Sequence, residues 1–416
     1  GEYDEALGAH TASIEIQKEI NDLAGYAENL NKVGNIHLTK GDSDKAETVY
    51  QTALALGRQS GHRLAEAEAL NNLGVLYYYG GDAEAALAHL DQCLAIKKEI
   101  GDKRSMARSM ANIGMVHELL GDLGVAVATH QESLALIREI NDQGSIVTGL
   151  NNLTSVYCRM GRYAEACRAS EESLAISEAI GDRWITPNSL NSLGRVKLWL
   201  NLPLEAEKLS RRALEMSRQQ GHRLEVCASL QNLGAALAAT GRIDEGMALL
   251  AQARELAGEL KARDEASEAI YLMGLLYTGR GEAAAVADCA RELGDLAAVM
   301  KSRETRVRRL HLAGNAALIE GRPRDAAAVL REGADLAAEI GLREYEWRLR
   351  SDLARSLGGT PEAAEELTRA SGILKAIASQ AGFEVMSASY LAEPLRQSAL
   401  RAAALAAPTQ TDPLEH

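Results

Sequence analysis

Apolar residues recur at helical spacing along the chain, in segments that small residues interrupt at a fixed interval. Each stretch of 40 residues holds two apolar segments of helical length with a glycine turn between them. Asn201 takes the place of one turn glycine, and Gly or Asn is the usual residue of a left-handed helix cap. The pattern predicts a helix–turn–helix hairpin that is repeated along the chain.

Three series of small residues define the repeat. The first lies inside the first helix of each hairpin, the turn series follows seven residues later, and the alanine series lies five residues further on. A single hairpin cannot bury its apolar face, so we expect about nine hairpins to stack into an α-solenoid. The first series comprises Gly34, Gly74, Gly114, Gly194, Gly234, Gly274 and Gly314. The alanine series comprises Ala46, Ala86, Ala126, Ala166, Ala206 and Ala326.

The composition supports an all-α fold and restricts the function. Only 4% of the 416 residues are aromatic, which argues against a β-sandwich or barrel. The net charge of −13 argues against nucleic acid as a partner. No apolar run is long enough to predict a membrane span. The five scattered cysteines form no CxxC pair, which is typical of reduced thiols in a cytoplasmic protein.

The sequence carries no sign of an enzyme. It contains no GxxxxGK[ST], HExxH or GxSxG motif. His37 and His117 occupy the slot that Tyr77 and Tyr157 fill in other repeats, which indicates a packing role. We therefore predict no catalytic residue, no metal site and no cofactor.

The spacing of Gly34, Ala46 and Ala53, with Tyr77 three residues after its own series glycine, resembles the tetratricopeptide repeat. A 40-residue period, with runs such as "GDAEAALAHLDQCLAIKKEIGD", resembles its longer-helix subclass. That subclass occurs in kinesin light chains, in the LGN-type repeats of polarity adaptors and in bacterial multidomain regulators. The resemblance covers residues 1–381 and implies a right-handed superhelix.

The two ends suggest a three-part organisation. Gly1 falls in the turn series, so we expect the chain to begin in mid-repeat, as a piece of a longer protein that is truncated at its N-terminus. Residues 382–407 break the repeat and are predicted to form capping helices interrupted at Pro394. Residues 408–416, which end in "LEH", are predicted to be a disordered tail with a tag remnant.

The resemblance also implies which residues line a concave groove. If Gly74 is numbered eight in its helix, positions two, five, six and nine face the groove. Carboxamides there offer both donors and acceptors, so a row of them can hold an extended peptide backbone. The predicted groove residues are Asn31, Asn71, Asn151 and Asn191 at position five; Asn72, Asn112, Asn152 and Asn232 at six; Asn35, Arg195 and Asn315 at nine; and Arg108, Arg308 and Arg348 at two.

Each group also has a purely structural interpretation. The amides can bond to the neighbouring helix and fix the geometry of the repeat, because buried polar groups need partners in any fold. The arginines of the late repeats can bind an acidic segment of a ligand, or they can form ordinary surface ion pairs.

The sequence therefore predicts a non-catalytic module that binds an extended protein or peptide segment, as one arm of a larger cytosolic signalling or regulatory protein. Two alternatives remain open. The chain can be a sensor that holds a small effector and controls an output domain, or a scaffold that self-associates through its exposed first helix.

Overall fold

The computed structural model describes residues 2–380 and 382–406; the predicted tail at 408–416 lies outside this range. The described residues form 21 α-helices and no strand. Most consecutive helices pack against each other as helix–turn–helix hairpins. The prediction of an all-α solenoid is confirmed.

The chain divides into two compact units. Unit 1 comprises residues 2–142 with 299–301, and unit 2 comprises residues 143–298 with the remaining described residues from 302. In the first part of the chain the helices are α1 (Glu2–Glu19), α2 (Leu23–Thr39), α3 (Ser43–Ser60), α4 (Arg63–Tyr79), α5 (Ala83–Ile100), α6 (Lys103–Leu120) and α7 (Leu123–Glu139).

The remaining helices begin after residue 142. They are α8 (Gln143–Arg159), α9 (Tyr163–Ala179), α10 (Thr186–Trp199), α11 (Pro203–Gln220), α12 (Arg223–Ala239), α13 (Ile243–Leu260), α14 (Arg263–Arg280), α15 (Ala283–Met300), α16 (Arg303–Ile319), α17 (Pro323–Glu339), α18 (Arg343–Leu357), α19 (Pro361–Ala378), α20 (Glu384–Leu391) and α21 (Pro394–Ala406).

The glycine and asparagine residues of the turns end the helices by adopting a left-handed backbone conformation. Gly101 ends α5 with φ of 78°, a left-handed conformation that glycine adopts without a Cβ clash. Asn201, the predicted substitute, also has a positive φ, of 57°. The next helix is then capped at its start: the Asp102 side chain accepts a hydrogen bond from the amide of Ser105 at 3.2 Å. His62 replaces aspartate in this role and accepts from the amide of Ala65 at 3.1 Å.

The small residues allow the two helices of a hairpin to approach closely. A Cβ at Gly74 would lie 2.5 Å from Cγ of Leu90, and one at Gly314 would lie 2.4 Å from Cγ of Leu330. The members of the alanine series are all fully buried. Within each unit, the core therefore lies between the paired helices.

The C-terminal helices follow the last hairpin. Helix α21 begins at Pro394, whose fixed φ suits the first turn of a helix. The domain boundary between residues 381 and 382, and the truncation before residue 1, stay predictions.

Candidate functional site

Buried amides connect successive hairpins at the fifth position of the first helix. Nδ2 of Asn31 donates to the carbonyl of Ala65 at 3.1 Å, and Nδ2 of Asn191 donates to the carbonyl of Glu225 at 3.2 Å. Both partners lie 34 residues ahead, in the next first helix. The fifth-position amide is thus a bond between neighbouring repeats. This accounts for asparagine inside a helix, where its intrinsic propensity is poor.

Gln231 repeats the same geometry with a longer side chain. Its Nε2 donates to the carbonyl of Glu265, again 34 residues ahead, at 2.7 Å. The sequence places Gln231 at the fifth position of its helix. It does not decide whether the side chain faces a ligand groove or bonds to the neighbouring helix. The structure shows the bond to the neighbouring helix.

Asn191 is the centre of the largest of these hydrogen-bond networks. Beyond the carbonyl, its Nδ2 donates to Oε2 of Glu225 at 2.8 Å, and its Oδ1 accepts from the Ser229 hydroxyl at 2.9 Å. Asn232, at position six, donates back to the carbonyl of Asn191 at 2.9 Å. Four polar groups of two adjacent hairpins therefore satisfy one another in the interior of unit 2.

Asn151 is bonded in a similar way. Its Nδ2 donates to Oδ1 of Asn188 at 2.5 Å, and its Oδ1 accepts from the Ser173 hydroxyl at 2.7 Å. In unit 1, Nδ2 of Asn112 donates to Oδ1 of Asn71 at 3.1 Å. These amides hold repeats together, whatever else the surface binds.

A smaller group of predicted residues faces solvent. Asn72 in α4 and Asn152 in α8 are half-buried, and Arg108 in α6 and Arg195 in α10 are exposed. None of these four side chains forms a hydrogen bond or ion pair with another described residue. Asn35 is also exposed, and its Oδ1 accepts from the Tyr50 hydroxyl at 2.6 Å.

We call the solvent-facing part of positions two, six and nine the first-helix face. In unit 1 it includes Asn35, Asn72 and Arg108. In unit 2 it includes Asn152 and Arg195.

Arg308 is neutralised by acidic neighbours. Its guanidinium is 2.5 Å from Glu268 and 2.9 Å from Glu304, and it donates to the Tyr345 hydroxyl at 3.0 Å. Burial alone would raise the pKa of Glu304, but Arg159 and Arg308 bring this pKa below its ordinary value. The sequence pattern allowed the Arg308 guanidinium to bind an acidic ligand. In the structure, carboxylates of the protein itself neutralise its charge.

Asn315 and Arg348 lie in different surroundings. Asn315 is buried, and its Oδ1 accepts from Arg355 at 3.1 Å. The Arg348 guanidinium lies over two indole rings, 6.0 Å from the centre of Trp199 and 4.9 Å from that of Trp347. Its Nε is 3.8 Å from Glu344, too far for a hydrogen bond.

Glu344 is the centre of a buried cluster that the sequence did not predict. Its Oε1 accepts from the Tyr390 hydroxyl at 2.7 Å and from Arg396 at 3.3 Å, and its Oε2 accepts from the indole of Trp347 at 2.7 Å. Burial raises the pKa of Glu344, but Arg396 and Arg348 bring it below its ordinary value. No periodic signal marks Tyr390 or Arg396, because both follow the last repeat.

Other kinds of site are not indicated. The described His, Cys, Asp and Glu residues form no group arranged to hold a metal ion. The five cysteines are buried free thiols. Among the described helices, none combines enough length with enough hydrophobicity to span a bilayer. Ile16 in α1 is 59% exposed and Ile20, directly after this helix, is 67% exposed; self-association through the first helix stays a prediction.

These features define an α-solenoid whose repeats are joined by amides. The model of the tetratricopeptide repeat matches residues 26–99, 65–139 and 145–219. Residues 26–139 and 145–219 are therefore tetratricopeptide repeats. No curated protein matches the sequence as a relative.

Solved structures share the fold at low sequence identity. A Rap protein complexed with competence and sporulation factor superposes with a TM-score of 0.64 and 15% identity, over 87% of this chain and 99% of that one. A kinesin light chain repeat protein of Podospora anserina is 20% identical over 46% of this chain and 95% of that one, with a TM-score of 0.38.

A further similar structure is a signal transduction ATPase with numerous domains from Pyrococcus horikoshii, which has a tetratricopeptide repeat sensor. It is 13% identical over 83% of this chain and 55% of that one, with a TM-score of 0.46. Of these three structures, the Rap protein superposes well enough to support the fold assignment.

Proposed function

We propose that the chain binds an extended segment of a partner protein along the first-helix face of one of its two units, as a non-catalytic arm of a larger cytosolic regulatory protein. The amide of Asn72 in unit 1, or that of Asn152 in unit 2, contacts the backbone of the segment. Arg108 in unit 1, or Arg195 in unit 2, contacts its acidic or carbonyl groups. The buried amides set the distance between successive hairpins and hence the spacing of the contacts.

The observation that carries this proposal is the division of the amides into two groups. The Nδ2 groups of Asn31 and Asn191 donate to backbone carbonyls of the next hairpin. Asn72 and Asn152 keep their donors and acceptors free of bonds to other described residues and are half-exposed. A carboxamide at a protein surface can donate to a peptide carbonyl and accept from a peptide amide, as an added strand would.

The comparison with the Rap protein supports a protein-binding role at a coarse level. That protein shares the fold over nearly its whole length and is complexed with competence and sporulation factor. The tetratricopeptide repeat is a solenoid that presents an extended surface, and extended surfaces suit extended ligands.

A selection experiment tests the proposal. A display library of linear nine-residue peptides is selected on the wild-type chain, and the affinities of the enriched peptides are measured for N72A and N152A. Each unit offers a matched control on a second helix, at the exposed amides Gln51 and Gln219. We expect N72A or N152A to weaken the affinity for a peptide about tenfold, because each variant loses one or two hydrogen bonds to it. Q51A and Q219A should leave the affinity unchanged.

Selected peptides that bind N72A and N152A as tightly as wild type would contradict the proposal. The single variants also tell the two units apart, because Asn72 belongs to unit 1 and Asn152 to unit 2.

A further inference from the structure

Two opposite charges on the first-helix face of unit 1 have no ion-pair partner among the described residues. Glu68, at position two of α4, is half-buried, and Arg108, at position two of α6, is exposed. In unit 2, by contrast, Arg308 at the same position is neutralised by Glu268 and Glu304. Unpaired surface charges of opposite sign favour a partner whose own charges complement them.

A hydrogen bond between the two helices fixes the relative position of these charges. Nδ2 of Asn112 in α6 donates to Oδ1 of Asn71 in α4 at 3.1 Å. Glu68 precedes Asn71 by three residues, so it lies on the same side of α4, one turn nearer its start. Arg108 precedes Asn112 by four residues and has the same relation to it in α6. Because α4 and α6 are the first helices of consecutive hairpins, they run in the same direction, and the two charges lie side by side.

A second positive charge reinforces that of Arg108. Lys97 in α5 is buried, its Nζ donates to the Ser109 hydroxyl at 2.9 Å, and it forms no ion pair with a described carboxylate. Burial lowers the pKa of Lys97, and the positive charge of Arg108 lowers it further, so the two cations are close enough to interact. Asp102, which caps α6, is an acidic neighbour of Lys97 and offsets part of this charge.

Helix α2 adds no net charge to the first-helix face. Its Glu28 at position two and Lys32 at position six are opposite in sign and lie one turn apart. Oε1 of Glu28 is also 3.6 Å from Nε2 of His62. The charge separation on the first-helix face of unit 1 is therefore between α4, which is negative, and α6, which is positive.

We propose that the partner segment crosses unit 1 with a basic side chain over Glu68 and an acidic side chain over Arg108. This assignment rests on the proposed function and places the segment on unit 1. Packed helices lie about 8–10 Å apart and an extended peptide rises about 3.3 Å per residue, so the two charged residues of the segment are about three positions apart. A segment with its charges exchanged would meet like charges at both helices and bind more weakly.

Double-mutant cycles between the chain and a peptide test this charge order. The peptides are those selected from the nine-residue library whose binding is weakened in N72A. Each is synthesised with its basic residue or its acidic residue replaced by glutamine, and its affinity for wild type, E68Q and R108Q is measured by isothermal titration calorimetry. E84Q and K98Q remove exposed charges of the second helix α5 and are the matched controls.

We expect E68Q to weaken binding about threefold, the effect of one exposed ion pair. Replacing the basic residue of the peptide should then have no further effect in E68Q, because the pair is already lost. R108Q should be coupled in the same way to the acidic residue of the peptide, whereas E84Q and K98Q should leave the affinity unchanged.

The outcomes separate this charge order from the proposed function. Peptides that need Asn72 but show no coupling, or that couple E68Q to their acidic residue, overturn the charge order and leave the proposed function in place. Peptides that need Asn152 alone overturn the assignment to unit 1 and also leave the proposed function in place. A selection that enriches no peptide, or only peptides insensitive to both N72A and N152A, overturns the proposed function and the charge order together.

Discussion

Arg396 and Glu344 form a buried ion pair across 52 residues of sequence. Nη2 of the arginine donates to Oε1 of the glutamate at 3.3 Å, and the two side chains are 2% and 3% exposed. The pair joins α21 to the first helix of the last regular hairpin. In this part of unit 2, helices that are not consecutive in the chain are therefore in contact.

Glu344→Gln should destabilise unit 2, because it leaves the Arg396 guanidinium buried without a counter-charge. We expect a loss of about 3 kcal/mol in the free energy of unfolding, measured by urea titration with circular dichroism. Glu339→Gln is the matched control: its pair with Arg303 is exposed, at 2.5 Å, and the expected loss is below about 1 kcal/mol. Equal losses for the two variants would contradict the role of the buried pair.

Lys97 should lower the stability of unit 1 at neutral pH. Its side chain is buried, and its Nζ donates to the Ser109 hydroxyl at 2.9 Å but forms no ion pair with a described carboxylate. Burial therefore lowers the pKa of Lys97. Lys97→Met should raise the free energy of unfolding by about 1 kcal/mol or more, whereas Lys98→Met, at an exposed position of the same helix, should not.

The same lysine predicts a pH dependence. At neutral pH the unfolded chain holds this proton more tightly than the folded chain does, so stability should rise as the pH increases from the lowered folded pKa towards the unfolded value of about 10.4. The rise should be smaller in Lys97→Met than in the wild type. Denaturant titrations at a series of pH values check this, and parallel curves for the two proteins would contradict it.

The small-residue positions should tolerate no side chain. In Gly314→Ala the new Cβ would lie 2.4 Å from Leu330, so we expect a loss of about 1–3 kcal/mol. Gly372→Ala, in α19 of the same unit, meets no atom within 4 Å and should gain up to about 1 kcal/mol from helix propensity. Thermal unfolding of the two variants measures the difference, and a stable Gly314→Ala would show that the hairpins are less tightly packed.

The two groups of asparagine should separate stability from binding. Asn191→Ala removes the hydrogen bonds that its amide forms with the Glu225 carboxylate and the Ser229 hydroxyl, and it should cost about 2 kcal/mol. Asn152→Ala should change stability by less than about 0.5 kcal/mol, because no described residue depends on its amide. Urea titrations of both variants measure this, and a large loss in Asn152→Ala would assign that amide to the structure as well.

The periodicity predicted the helices, because the signals that start and stop them are local. Gly101 and Asn201 end their helices in the left-handed conformation, as their residue types indicate. The series of small residues also predicted the close approach of paired helices, since Gly74 leaves no room beside Leu90.

Two features could not be predicted from the pattern. The sequence pattern around an asparagine such as Asn191 is the same whether its side chain bonds to a neighbouring helix or to a ligand. Only the position of Glu225 in the folded chain shows which of the two occurs. The contacts of Tyr390 and Arg396 depend on how the chain returns after many repeats, and no residue spacing records that return.

The most direct test of the account locates a bound peptide. A peptide from the selection carries a photoreactive benzophenone side chain and is cross-linked to the chain, and the attached residues are identified by mass spectrometry. We predict attachment to the first helices, near Asn72 and Arg108 in unit 1 or near Asn152 and Arg195 in unit 2. Attachment mainly to the second helices α3, α5, α9 and α11 would contradict binding at the first-helix face.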